Sequence, residues 1–266
     1  MSNSSLVNYT KISPNKGNYN SSGKYIGSER THAIDTITIH CVVGQCTVQT
    51  LGNIFAPTSR QASSNYGVGY DGKIGMYCEE KDRSWCSSNA LNDNRAITIE
   101  VASDTKEPYA VTDAAFKSLI KLVADICKRN GIKKLVWSTN KDDRVNHRNG
   151  CNMTVHRDFA NKSCPGTYLY NRHGQIAEEV NKLLNNPTPA PKTGYLVKVT
   201  TLLNVRKGPG VEYDAWYIKG QTPIPSGGIY TIVDEATAKD GGKWGLLKAF
   251  AEQRNGWINL GYTKKV

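Results

Sequence analysis

The sequence predicts an α/β layer over residues 1–185 and a small all-β barrel over 195–266, joined by a linker at 186–194. Three observations carry that division. Asn185-Asn186-Pro187-Thr188-Pro189-Ala190-Pro191-Lys192-Thr193-Gly194 alternates proline with small residues, the composition of a semi-rigid extended linker. Before it, strand-like runs alternate with long amphipathic helical runs, which is the pattern of an α/β layer. After it, only short β runs remain, separated by turn signals. No internal repeat is visible.

Taken in order, the first element is a strand over Ile34-Asp35-Thr36-Ile37-Thr38-Ile39-His40, where apolar and polar residues alternate. Ala96-Ile97-Thr98-Ile99-Glu100-Val101 is another. Thr112 can cap a helix whose apolar residues, Ala115, Phe116, Leu119, Ile120, Val123, Ile126 and Cys127, recur at spacings of three and four. Gly131 supplies its stop. Leu135-Val136-Trp137 reads as a further strand. A last helix from about Gln175 to Leu184 sets Ile176, Val180, Leu183 and Leu184 on one face.

In the second part the strands are Leu196–Val199, Leu203–Val205, Ile229–Val233, Trp244–Leu247 and Gly256–Ile258. Lys207-Gly208-Pro209-Gly210, Gly227-Gly228 and Asp240-Gly241-Gly242 are its turns. It holds no histidine and no catalytic constellation.

Bulk properties narrow the function classes. The chain has 266 residues, 38% of them apolar, and no run of eighteen apolar residues, so membrane insertion is not expected. Met1-Ser2-Asn3-Ser4-Ser5-Leu6 lacks the basic and apolar regions of a signal peptide, so accumulation in a cytoplasm, or exit by a route the sequence does not encode, is expected. Seven cysteines without regular spacing point to reduced thiols rather than a disulfide framework, with Cys41 and Cys127 as core thiols. The net charge of +11 implies attraction to a polyanion, either nucleic acid or an anionic cell wall. Ten Lys/Arg and six Asp/Glu lie from residue 193 onward, so the charge is spread over both parts. No long basic block occurs and few aromatics interleave with the basic residues, which weighs against nucleic acid.

The chemistry concentrates in His156-Arg157-Asp158-Phe159-Ala160-Asn161-Lys162-Ser163-Cys164-Pro165-Gly166. Imidazole nitrogen and thiolate sulfur are the ligands zinc prefers, and a loop ending in Pro-Gly can fold both onto one ion. His40, at the end of its strand, is the best upstream third ligand. Three protein ligands with one open position describe a catalytic Zn2+ rather than a structural one.

Glu100 places a carboxylate in an apolar strand. It is either a solvent-facing residue on the face of Thr98 or, beside a His/His/Cys zinc, the general base of a hydrolase. Lys162 is a surface lysine or an oxyanion contact. Asn140 to Asn152, with His147 and Cys151, reads as a loop insertion at the site's rim. The other reading joins it to His156 and Cys164 as a compact structural zinc module.

These residues carry a resemblance. Thr36–His40, Ser63-Ser64-Asn65-Tyr66-Gly67-Val68-Gly69-Tyr70-Asp71-Gly72-Lys73-Ile74, Ile97–Glu100, and Val155–Asp158 through Lys162–Gly166 resemble the zinc-dependent type 2 N-acetylmuramoyl-L-alanine amidases. These include phage endolysins and are similar to the peptidoglycan recognition proteins. The resemblance covers about residues 30 to 185. It implies a central mixed sheet flanked by helices, His40, His156 and Cys164 as zinc ligands, Glu100 as general acid/base and Lys162 as an oxyanion contact.

Some members use a catalytic tyrosine where Ser64 stands here. Tyr66 is therefore read as a groove or core aromatic, and Trp85 as a groove-side or simply buried one. Leu203-Asn204-Val205-Arg206-Lys207-Gly208-Pro209-Gly210, with Tyr230–Val233, Trp244–Leu247 and Gly256–Ile258, resembles the bacterial SH3-like cell-wall-binding domain. Trp244 and Trp257 are expected in its core, and Tyr213, Trp216 and Tyr217 exposed as ligand contacts.

The expectation is a hydrolase of Gram-positive peptidoglycan that cleaves the amide between N-acetylmuramic acid and L-alanine. As a phage endolysin it would stay in the host cytoplasm until lysis. A host autolysin with the same chemistry and a non-catalytic wall-recognition protein are the alternatives. The sequence gives no oligomeric state.

Overall fold

The computed structural model describes residues 2–185, 194–248 and 256–266. The chain divides into two compact units, Met1–Asn186 and Pro187–Val266. Nearly all of the Pro-rich segment expected as a linker lies outside the described residues.

In chain order the first unit holds β1 (Tyr9–Thr10), β2 (Asn18–Tyr19), β3 (Tyr25–Gly27), β4 (Thr36–Cys41), α1 (Val48–Phe55), β5 (Tyr66–Val68), β6 (Ile74–Met76), α2 (Ala90–Arg95), β7 (Ala96–Val101), α3 (Asp113–Arg129), α4 (Lys141–Val145), β8 (Met153–Thr154), α5 (Gly166–Tyr170) and α6 (His173–Asn185). Six strands form one mixed sheet in the order β1-β6-β5-β7-β4-β8. β4 runs parallel to both β7 and β8, β5 runs parallel to β7, and β5 and β6 are antiparallel.

The period-two alternation of β4 and β7 sorts their side chains onto two faces. Ile37, Ile39, Ile97 and Ile99 are fully buried in one cluster with Leu119, Val123 and Ile126 of α3 and Ile176 and Val180 of α6. Burying an aliphatic side chain of this size stabilises by about 1.5–3 kcal/mol, so this face dominates the packing. α3 starts where Thr112 Oγ1 accepts the N–H of Ala115 at 3.1 Å. It ends in Lys128 and Arg129, and Gly131 follows with φ +73°, the left-handed stop its sequence implies.

The opposite face is polar yet equally buried. Thr38 Oγ1 lies 2.7 Å from Thr154 Oγ1, and the amide of Asn92 on α2 closes that pair at 3.0 and 2.9 Å. Thr98 bonds Asn65 and Ser84. Every hydroxyl in this layer has a partner, which offsets the cost of removing it from water.

One expectation needs correction here. Leu135-Val136-Trp137 is not a strand. Side chains take the place of a neighbouring strand: Asn181 Oδ1 accepts from Leu135 N and Asn152 Oδ1 from Val136 N, each at 2.8 Å. Of the two places read for Tyr66, groove or core, the structure shows the core. It is fully buried, and its hydroxyl donates to Glu80 Oε1 at 2.6 Å.

The second unit holds β9 (Tyr195–Val199), β10 (Ile229–Thr237), β11 (Lys243–Leu247), β12 (Trp257–Asn259) and β13 (Thr263–Lys265). They form an antiparallel sheet in the order β12-β11-β10-β9-β13. Val197, Val199, Leu203, Val205, Ile224, Ile232, Leu247 and Ile258 make its core. The run Leu203–Val205 contributes only an isolated bridge from Leu203 to Ile224, not a strand, while β13 was not foreseen. Trp244 is buried as expected, and Trp257 is half-buried. Tyr213 and Tyr217 are exposed, whereas Trp216 is half-buried against the core, contrary to expectation.

Candidate metal centre

The β4–β7 register sets His40 directly beside Glu100, and on the other side of β7 Gly67 of β5 pairs with Glu100. Both side chains follow the polar face, Glu100 continuing from Thr98 and His40 from Thr38. His40 is fully buried. Glycine is required at 67, since a Cβ there would come within 2.8 Å of Leu51 and Tyr77.

His156 and Cys164 reach the same point from irregular chain. After β8, residues His156–Asp158 form a 3-10 turn, closed by Phe159 N donating to His156 O at 3.0 Å. Asp158 accepts the N–H of Val155 and forms a two-pronged ion pair with Arg144 of α4, at 2.8 and 2.5 Å. Arg144 and Asp158 are only 2% and 5% exposed, so this buried pair fixes the turn from behind. Arg157 N donates to Cys164 O at 3.2 Å, folding the segment back on itself. Gly166 then takes φ +76°, where a Cβ would strike Tyr109 at 2.7 Å.

The result is a cluster. One ligand atom each from His40, His156 and Cys164 lies within 4.8 Å of the others. Cys164 Sγ stands 3.4 Å from His40 Nδ1. Zinc bonds of about 2.3 Å to sulfur and 2.0–2.1 Å to nitrogen put two tetrahedral ligands about 3.5 Å apart, so the pair is spaced for a shared ion. The backbone N–H of Cys41 donates to the same sulfur at 3.4 Å, as a thiolate ligand requires of its surroundings. The residues thus fit a zinc ion in both donor chemistry and spacing.

Glu100 adjoins the cluster. Its donor atom and those of His40 and Cys86 also lie within 4.8 Å of one another. Cys86 Sγ lies 3.8 Å from Oε1, while Oε2 is buried with no hydrogen-bond partner. Glu100 is thus half-buried with one oxygen shielded, not an ordinary solvent-facing strand residue. Burial, then the nearby Cys41, pushes its carboxyl up to about 8. The Cys164 thiol is held up by its hydrogen bond to the Cys41 thiol, by burial and by Glu100. Cys41 accordingly touches the site and is not merely the core thiol expected. Burial lowers His40, with His156 and His173 adding to the effect. Burial and the ammonium of Lys162 lower His156. Both rings are thereby kept neutral, the state in which imidazole binds a metal.

Lys162 is exposed and lines a cleft of about 560 Å³ together with His156, Trp85, Arg60 and Arg83. Trp85 is half-buried, with its ring N–H on Gly17 O at 2.8 Å, so it serves the cleft wall and the packing at once. His147 and Cys151 join no ligand cluster among the described residues. His147 Nδ1 contacts Cys151 O and the Cys151 thiol donates to Met153 O, which removes the compact zinc module.

The family profile described as Amidase_2, N-acetylmuramoyl-L-alanine amidase, matches residues 30–167, just over half of the chain, and spans His40, Glu100, His156 and Cys164. The chain belongs to the N-acetylmuramoyl-L-alanine amidase family. Members of this amidase family typically depend on zinc. Among solved structures, the endolysin N-acetylmuramoyl-L-alanine amidase LysCS from Clostridium intestinale URNW is similar at 19% identity, covering 60% of this chain and 89% of its own, with a TM-score of 0.42. The Drosophila peptidoglycan recognition protein PGRP-SA is similar at 16% identity, covering 58% and 86%, also at 0.42. The catalytic domain of XlyA stands at 15%, covering 65% and 99%, at 0.41. No curated protein matches.

The candidate site also contains groups that the sequence did not single out: Cys86 on Glu100, Ser88 on His156, and Arg144 with Asp158 behind the 3-10 turn. Only Asp158 carried a hint, two residues after a candidate ligand.

Proposed function

We propose that this chain is a zinc-dependent peptidoglycan hydrolase that cleaves the amide between N-acetylmuramic acid and L-alanine. The observation that carries the reading is the His40–Cys164 contact of 3.4 Å, with His156 alongside and an unpartnered carboxylate oxygen of Glu100 next to it. His40, His156 and Cys164 would hold the ion, leaving a fourth position open to substrate. Zinc bound there supplies Lewis acidity, lowering the pKa of water toward about 7 and polarising a carbonyl.

Glu100 supplies the proton transfers. In its ionised form it accepts a proton from the attacking water, and as the acid it delivers that proton to the departing L-alanine amine. Lys162, on the cleft rim, brings an ammonium to the negative charge that develops on the carbonyl oxygen. Arg60 and Arg83 add positive potential to the cleft, which favours an anionic polymer as substrate.

We propose further that residues 195–266 form an SH3-like wall-binding domain, with exposed Tyr213 and Tyr217 as ligand contacts. Tethering would raise the local substrate concentration of the catalytic unit. In this reading the protein is an endolysin of a Gram-positive host, held in the cytoplasm until lysis and then acting on the wall.

Mass spectrometry of fragments released from purified Gram-positive sacculi tests the reading, with wild type, Glu100→Ala and a zinc-chelated sample in parallel. Stem peptides with free L-alanine amines, absent in both controls, are expected. Protein bound to sacculi without released fragments would make it a recognition protein instead. New reducing sugar ends would move the cut to another bond.

A further inference from the structure

One turn of chain feeds both halves of the candidate site. Asp93 on α2 is only 2% exposed, and its carboxylate accepts the backbone N–H of Cys86 and of Ser87, each at 3.1 Å. From this clamped turn Cys86 reaches Glu100 and Ser88 reaches His156. Ser88 has φ 62°, a left-handed backbone in which glycine is relaxed and serine is strained. Its Oγ stands 3.0 Å from His156 Nε2. The chain keeps a hydroxyl at a position whose backbone favours having no side chain.

We infer that Ser88 is a positioning residue for the metal: its oxygen accepts the Nε2 proton of His156, so that Nδ1 is the nitrogen offered to the ion. A neutral imidazole carries one N–H and one lone pair, so a bond that holds the proton on Nε2 decides which nitrogen can ligate. Metal-binding histidines commonly donate their second nitrogen in this way, and the partner fixes ring orientation as well as tautomer. The neighbouring ligand agrees, since His40 also turns its Nδ1 toward Cys164 Sγ. Asp93 acts one step further back, holding the turn by its amides so that the Ser88 hydroxyl arrives at a fixed place.

This inference rests on the zinc reading given above, and its test separates the two. Zinc affinity is measured on the full chain by competition with a chromophoric chelator, for wild type, Ser88→Gly and Ser88→Asn. The melting temperature of each zinc-free protein is recorded alongside. Glycine relaxes the positive φ but removes the acceptor; asparagine tolerates that φ and restores an acceptor oxygen. Ser88→Gly is expected to lose zinc affinity by about 10–100-fold while melting no lower than wild type, and Ser88→Asn to recover part of the loss. Imidazole 15N NMR of the zinc-loaded wild type is expected to show His156 protonated at Nε2 and metal-bound at Nδ1. Undiminished zinc affinity in Ser88→Gly, or zinc on Nε2, overturns the role of Ser88 while leaving the zinc centre in place. A wild type that binds no zinc overturns the metal reading and this inference with it.

Discussion

The candidate site is assembled from two kinds of structure. His40 and Glu100 sit on adjacent parallel strands, and the β4–β7 ladder alone fixes their pairing. His156 and Cys164 sit on irregular chain and are placed by side chains: Arg144 on Asp158, Ser88 on His156, and the Cys41 amide on Cys164. The strand half is insured by many backbone bonds that no single substitution removes. The loop half depends on a few polar contacts, each removable by one mutation. Damage to the second should therefore reach the metal, whereas damage behind the first should reach only stability.

The largest effect tests the loop half itself. Cys164→Ala is expected to lose stoichiometric zinc, measured by elemental analysis after dialysis, and to release no fragments from sacculi. Glu100→Gln, an isosteric change in the strand half, should lower the hydrolysis rate by about 10²–10⁴-fold and leave zinc affinity at the wild-type value. A matching loss of zinc would contradict the division of labour between Glu100 and the ligands. Arg144→Ala strands Asp158 in the interior and should cost about 3–5 kcal/mol in denaturant unfolding, with zinc affinity falling as the turn loosens.

Acid should act through the buried start of α6. Burial holds His173 down to about 4, well below its ordinary 6.5, where it packs on Trp137 at 4.4 Å. Between those values the unfolded chain binds a proton that the folded chain refuses. Stability is then full above about 6.5 and falls as pH drops toward 4, by about 3 kcal/mol in total. A His173→Gln variant should show a flatter acid limb in melts taken from pH 7 to 4. The smallest effect lies behind the strand half. Thr112→Ala removes the cap of α3 and should cost about 1 kcal/mol with zinc affinity unchanged.

The same contrast explains what could be read from the sequence. β4, β7, α3 and α6 announced themselves through apolar periodicity, and His40 and Glu100 stood out as polar residues within those patterns. His156 and Cys164 were legible by ligand chemistry, without any geometry to join them to His40. Cys86, Ser88, Asp93 and Arg144 were not legible, because their partners are single atoms distant in sequence and no periodicity marks them. Leu135–Trp137 misled for a related reason: its apolar content is that of a strand, but Asn152 and Asn181 take up its backbone bonds. Near Cys41, local composition spoke for a core thiol, while its amide serves Cys164.

The pairing of His40 with Glu100 has a consequence for how such a chain can change over generations. Side chains in a strand alternate faces, so one inserted or deleted residue within β4 or β7 would turn a functional group to the wrong side of the sheet. Drift in those twelve positions runs chiefly through substitution, because a one-residue change of length turns the group to the other face. Exposed loops away from β5 and the Cys86–Ser88 turn carry no such constraint, and lengthening there can reshape the cleft mouth while the reacting groups stay in step. A lineage of these proteins can thus acquire new wall preferences by insertion without its chemistry ever being renegotiated.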